Sequence, residues 1–187
     1  MSEIEFQSFL SFYVKDMFSQ EVVDAKEREL NNLKEHNVFE EVPDTGQSTI
    51  SSRWIITEKY KDDKKITKAR LVARGFEENS YMMRTDSPTC SKQSLRITMT
   101  IIVSNRWKIN SLDITTAFLQ GDSINRELFL QPPKDVANSG TIWKLKRCIY
   151  GLNDAPRAWY LRVKVEMVKL GGEMSIYDQA LFTWHEN

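Results

Sequence analysis

The run from residue 53 to 76 constrains the fold more than any other part of the chain. Two stretches of period-two alternation flank the polar tetrapeptide Lys61-Asp62-Asp63-Lys64. Alternation of that kind sends successive side chains to opposite faces of an extended backbone. It predicts a hairpin with strands over about 53–60 and 66–76. In the first strand Trp54 and Ile56 share a face. In the second, Lys68, Arg70, Val72 and Arg74 share one face, while Thr67, Ala69, Leu71 and Ala73 share the other. The hairpin thus carries a row of cations on one side and small apolar residues on the other. The cationic row has two uses open to it: contact with a polyanion, or protection of an exposed sheet edge.

Around this hairpin the pattern predicts helices and short strands, hence an α+β fold. A helix over about 20–36 has Ser19 as its cap, Glu21 at its positive end, a stripe of Val23, Leu30 and Leu33, and an Asp24/Arg28 pair one turn apart. Residues 40–52 read mostly as loop because of Pro43 and Gly46. A second helix over 91–105 places Leu95, Met99 and Ile102 on an inner face. Strands are predicted at 127–131, where Pro132 and Pro133 bar continuation, at 142–146, and from about 180. A third helix begins near Pro156, runs to about Leu170 with Trp159, Val163, Met167 and Leu170 buried, and stops at Gly171-Gly172.

Net charge is zero over 187 residues, so the total says nothing about a polyanionic partner. The distribution says more. Residues 1–50 carry eleven Asp/Glu against four Lys/Arg. Residues 53–76 carry eight Lys/Arg against three acids, and residues 144–169 seven against two. These are two basic patches, or else ordinary solvated faces. Cys90 and Cys148 match no metal spacing, and two cysteines suit a reducing, intracellular compartment, cytoplasmic or nuclear. No segment approaches the roughly 20 apolar residues of a membrane span. Residues 1–20 hold six aromatic or leucine side chains interrupted by charges, and form a leader of unassigned role.

The segment Ile109-Asn-Ser-Leu-Asp113-Ile reads as a short buried strand with Asp113 near its end, where the chain turns into residues 115–118. A carboxylate at such a point either holds a divalent metal against phosphate oxygens or caps the following turn.

Four blocks in order carry a family resemblance. They are Lys68-Ala-Arg70-Leu-Val-Ala-Arg74-Gly75-Phe76; Trp107-x5-Asp113-x3-Ala117-Phe118-Leu119-x-Gly121; Glu127-Leu-Phe-Leu-Gln131-Pro132-Pro133; and Tyr150-Gly151-Leu152-Asn153-Asp154-Ala155-Pro156-Arg157-Ala158-Trp159. Together they resemble the Ty1/copia-type reverse transcriptases of retrotransposon Pol polyproteins, from about residue 21 to the C-terminus. The resemblance implies a fingers–palm fold, with fingers over about 37–106 and part of the palm over about 107–187. It implies RNA-directed DNA polymerase chemistry on an RNA template and DNA primer, with deoxynucleoside triphosphates as substrates. Asp113 becomes the catalytic carboxylate and ligand to Mg²⁺, with Mn²⁺ as an alternative. Lys68, Arg70, Phe118 and Gly151 become nucleotide-binding residues, with Phe118 excluding a ribose 2′-hydroxyl. Arg74 and Arg157 become nucleic-acid contacts.

The chain also departs from the family pattern. Glu77-Glu78-Asn79-Ser80-Tyr81 stands where a Gln and a Gly-x-Asp-Tyr pattern are usual, which puts two acids near a template path. Asn153-Asp154 stands where the family has Lys-Gln. An anion in place of a cation there is expected to weaken nucleotide binding by about 1–3 kcal/mol. No Asp-Asp pair follows Asp113, whereas the family's second carboxylates lie in an aromatic-x-Asp-Asp turn. The expectation is therefore a domain truncated before that hairpin, inactive as an isolated chain and completed by further C-terminal Pol segments. The alternatives are a non-catalytic nucleic-acid-binding module and a functionless relic.

Overall fold

The alternating run forms the longest strands of the protein, β2 (Thr49–Lys61) and β3 (Lys64–Ala73), paired antiparallel from Ser52↔Ala73 to Lys61↔Lys64. This computed structural model describes residues 19–61, 64–79 and 83–185, so Asp62, Asp63, Ser80, Tyr81 and most of the leader lie outside the described residues. Thr67, Ala69, Leu71 and Ala73 are buried, as an apolar face on a core requires.

With β1 (Phe39–Pro43), β4 (Phe129–Gln131) and β5 (Thr141–Leu145) the hairpin makes a mixed five-stranded sheet of order β1-β5-β4-β2-β3. β2 runs parallel to β4 through Thr49↔Phe129, Ile50↔Leu130 and Ser51↔Gln131. The other pairings are antiparallel. Among the described residues three helices accompany it: α1 (Gln20–Glu35), α2 (Lys92–Ser104) and α3 (Ala155–Lys169). A small ribbon of β6 (Glu173–Met174) and β7 (Phe182–Thr183) closes the tail. The fold is thus α+β. Leu33, Val38, Leu71, Leu119, Leu130, Ile142 and Ile149 are the deepest core residues.

Several predicted details change. Residues 39–43 are a strand rather than loop. Pro43 is tolerated because β1 is an edge strand, and Phe39 stacks on Trp143 with ring centroids 3.8 Å apart. The buried stripe of α1 is Val22, Ala25, Glu29 and Leu33, which leaves Val23 exposed. Asp24 and Arg28 do not pair: Asp24 accepts from Gln20 Nε2 at 2.6 Å, and Arg28 donates to Thr67 O at 3.3 Å. Leu170 lies beyond the end of α3 and is exposed.

The larger correction concerns residues 92–115. α2 forms as predicted, with Ser91 Oγ accepting from Ser94 N at 3.0 Å. None of its residues is buried, however; Leu95 is 50% exposed and Met99 40%. Residues 107–114 form no strand, and Leu112 is 92% exposed. An apolar stripe becomes core only when another element lies on it, and an extended segment becomes a strand only with a neighbour for its amides. Among the described residues neither condition is met. α2 is held at its start instead, by Asp178, whose carboxylate accepts from Ser91 N at 2.8 Å and Ala180 N at 3.0 Å. Hydrogen bonds from Ser94 and from these amides hold the Asp178 carboxyl well below the usual carboxylate range.

Candidate functional site

A cleft of about 660 Å³ opens between α1, β3, residues 113–118 and Tyr150. Its wall on β3 carries Lys68 and Arg70, from the face of that strand turned away from the core. The opposite wall is residues 113–118, which carry Asp113 and Phe118. Thr116 takes the left-handed conformation (φ 51°) and starts the 3-10 turn Ala117–Gln120. Leu119 of that turn is fully buried and pins it to the core. Gln120 Nε2 donates to Thr115 O at 2.9 Å, which fastens the bend.

Tyr150 forms the floor. Its ring meets Phe118 edge-on, with centroids 5.4 Å apart and planes at 85°. The Arg70 guanidinium carbon lies 5.8 Å from the centroid of the same ring. Burial raises the Tyr150 hydroxyl above its ordinary pKa; Glu29 adds to this and Arg70 opposes it. The turn that presents Tyr150 is fastened to the end of β3. Ala73 N donates to Tyr150 O at 2.8 Å, Gly75 N to Gly151 O at 3.2 Å, and Asn153 Nδ2 to Gly75 O at 3.0 Å.

Four residues singled out from the sequence, Lys68, Arg70, Asp113 and Phe118, therefore line one cleft. Asp113 is exposed there, on irregular backbone rather than at the end of a buried strand. The other three lie elsewhere. Gly151 is not among the cleft-lining residues; it adopts φ +90° and packs against the backbone of Ala73. Arg157 Nη1 donates to Asp86 Oδ2 at 2.7 Å and to Asp86 O at 3.1 Å. Arg74 is 3.8 Å from Glu77. Sequence reading missed Glu29 and Arg28, which line the cleft from α1. The signal available was the acidic position in the otherwise apolar stripe of Val22, Ala25 and Leu33.

The departures from the family pattern look different in three dimensions. Glu77 does not face a polyanion path: its carboxylate accepts from Ser51 N at 2.6 Å and Ser51 Oγ at 2.8 Å. Glu78 and Asp154 converge on one arginine. Arg126 donates to Asp154 at 2.7 and 3.1 Å and to both oxygens of Glu78. The Asp154 side chain thus lines a second, smaller cavity of about 340 Å³ rather than the cleft. Asp154 shares that one guanidinium with Glu78 and is not among the residues lining the cleft.

The second basic patch is largely spent internally. Lys144 pairs with Glu127, Lys146 with Glu40, Arg157 with Asp86, and Arg162 and Lys169 with Glu166. Beside the Arg126 cluster, Cys148 is buried, and burial followed by the Asp154 charge pushes its thiol up to about 12. Cys90 is exposed. A thiol-titrating disulfide reagent at neutral pH is expected to modify one cysteine of the native protein and the second only after denaturant is added; two fast equivalents would contradict the burial of Cys148.

A family model described as reverse transcriptase (RNA-dependent DNA polymerase) matches residues 34–186. The Retrovirus-related Pol polyprotein from transposon RE1 of Arabidopsis thaliana is 35% identical over 146 residues, 75% of this chain and 10% of the relative. The Retrovirus-related Pol polyprotein from transposon TNT 1-94 of Nicotiana tabacum is 29% identical over 151 residues, 76% of this chain and 11% of the relative. The Truncated transposon Ty1-A Gag-Pol polyprotein of Saccharomyces cerevisiae is 28% identical over 166 residues, 86% and 14% of the two chains. The chain therefore spans between 10% and 14% of the length of these relatives. No solved structure matches it. No helix among the described residues is long and apolar enough to cross a membrane. Because the matched region takes in β3, the 113–118 wall and the Tyr150 turn, the chain belongs to the reverse transcriptase family, among the Pol polyproteins of Ty1/copia-type retrotransposons.

Proposed function

We propose that the cleft takes the incoming deoxynucleoside triphosphate of an RNA-directed DNA polymerase. In this reading residues 37–106 act as fingers and residues 107–187 as part of the palm. The observation that carries it is the convergence of Lys68, Arg70, Asp113 and Phe118, drawn from two distant blocks of sequence, on one opening. Arg70 grips phosphate oxygens through paired donors, and Lys68 adds a mobile point charge beside it. Phe118 is braced by Tyr150 and makes a wall against which a deoxyribose packs and a 2′-hydroxyl does not fit. An RNA template and DNA primer supply the rest of the substrate.

The donor set among the described residues does not complete a two-metal centre. Such a centre holds two ions about 3.5–4 Å apart on several carboxylates. The cleft offers exposed Asp113 and buried Glu29, and Glu29 already accepts from Leu71 N at 3.3 Å. Another Pol segment is the source we propose for the further acidic ligands. The exposed apolar side chains of α2 and of residues 107–114 offer such a segment a surface. The chain alone binds nucleotide and does not polymerise. A non-catalytic nucleic-acid clamp draws less support, since most cations of the 144–169 patch are paired with the protein's own acids.

Calorimetric titration with a deoxynucleoside triphosphate tests the reading. Arg70→Ala is expected to weaken binding by about ten- to a hundredfold, the worth of a charge-assisted contact. Equal affinity in the variant rejects the assignment. In primer extension the isolated chain is expected to add no nucleotide; incorporation abolished by Asp113→Asn would reject the inactivity.

A further inference from the structure

Glu29 is the one acid in the buried stripe of α1, only 7% exposed, and it lines the cleft. Part of its role is architectural. β3 is an edge strand, and α1 covers its open side with side chains in place of a neighbouring strand. Glu29 accepts from Leu71 N at 3.3 Å, Arg28 donates to Thr67 O at 3.3 Å, and Thr67 Oγ1 donates to Glu21 at 3.2 Å. A glutamine could serve the Leu71 amide equally well, so this role does not call for a charge.

The charge matters to the cleft. The groups that share the cavity with Glu29 are Arg28 on its own helix, Lys68 and Arg70 on β3, Asp113 on the facing segment, and Tyr150 on the floor. Arg70 neighbours Leu71 in sequence and is drawn over the Tyr150 ring. We propose that Glu29, a buried carboxylate lining the same cleft as Arg28, Lys68 and Arg70, takes up a proton when a polyphosphate fills that cleft and engages its cations. This inference rests on the nucleotide-cleft reading and adds a proton to it. With no ligand, Arg70 favours the ionised carboxylate. A polyphosphate neutralises Arg70 and adds its own negative charge to the cavity, so the carboxylate loses its counter-charge and binds a proton from solvent.

Burial already raises the Glu29 pKa above 4.5, with the Leu71 amide and Arg70 opposing. Its window therefore lies above the ordinary carboxylate range. The sign follows: affinity for polyphosphate is full below that window and falls as pH rises through it, where binding requires the uptake of a proton.

The test compares the native sequence with Glu29→Gln, which keeps an acceptor for Leu71 N. Deoxythymidine triphosphate and inorganic tripolyphosphate are titrated by calorimetry in buffers of different ionisation enthalpy. At about pH 8 the variant is expected to bind about three- to tenfold tighter, and the gap is expected to narrow at about pH 5.5. The native protein should take up more protons per ligand bound than the variant, and the ligand's own titration cancels in that difference. Adding Arg70→Ala to both should shrink the gap. Melting curves verify that each variant is folded. Binding with equal proton uptake at both pH values overturns the role of Glu29 and leaves the cleft reading standing. Binding weakened equally at both pH values reduces Glu29 to an edge cap. Failure of both ligands to bind either protein overturns the cleft reading and this inference with it.

Discussion

Arg126→Leu is expected to destabilise the protein by about 2–4 kcal/mol, read as a drop in the urea midpoint at neutral pH. The arginine bridges Glu78, which follows the hairpin, and Asp154, which precedes α3. The side chains of these acids are 10% and 17% exposed, so neither can recover its hydration without moving. Burial alone would lower the Arg126 pKa; the two carboxylates outweigh it and raise it. Leucine leaves two half-buried anions facing each other and Cys148. The cost is set below the range for fully buried pairs because the Arg126 side chain is 26% exposed. The ion-pair origin has a second signature. Adding Glu78→Gln and Asp154→Asn to Arg126→Leu should recover part of the loss, since neutral amides remove the stranded charges. If the triple variant is as unstable as the sum of its single changes, the packing of the arginine stem is the cause instead.

The same cluster explains why local sequence reading went only part of the way. Period-two alternation fixed the β2–β3 hairpin and its buried face, because each strand tests the pattern against itself over ten or more residues. The helices were legible from their apolar stripes, though the phase slipped: Val23 belongs to the predicted stripe of α1 and is exposed, Glu29 is buried there against Leu71, and the Ser19 side chain makes no capping hydrogen bond. Whether a stripe is core depends on what lies opposite, and nothing in the α2 residues carries that information. Lys68, Arg70, Asp113 and Phe118, picked out from motifs far apart in the chain, line one cleft. Long-range charge pairing was not legible. Glu78 and Asp154 are 48 and 28 residues from Arg126, and a charge seen alone in sequence looks like a charge facing a ligand. The pairing of Arg157 with Asp86, 71 residues away, was equally invisible.

Gly151→Ala is expected to cost about 2–5 kcal/mol, with a loss of nucleotide affinity in whatever fraction remains folded. Two effects combine at this position. The backbone is left-handed, φ +90°, where a Cβ meets its own carbonyl. The added carbon would also overlap the Ala73 carbonyl oxygen and come within 2.6 Å of Val72 Cγ1. Gly75 stands in the reciprocal position, its own added Cβ overlapping the Gly151 oxygen. Strand end and turn therefore touch backbone to backbone, and the hydrogen bonds from Ala73 N and Gly75 N depend on that approach. Pushing the turn away moves Tyr150, and with it the support for Phe118 and the resting place of Arg70. Gly46 separates the two effects: its φ is +89°, and an added Cβ there meets nothing within 4 Å. Gly46→Ala isolates the left-handed term, at about 1–2 kcal/mol and with no change in nucleotide affinity. If thermal melts show equal losses for the two variants, the close approach of turn and strand carries no energy. The cleft floor would then be held by side-chain packing rather than by this backbone contact.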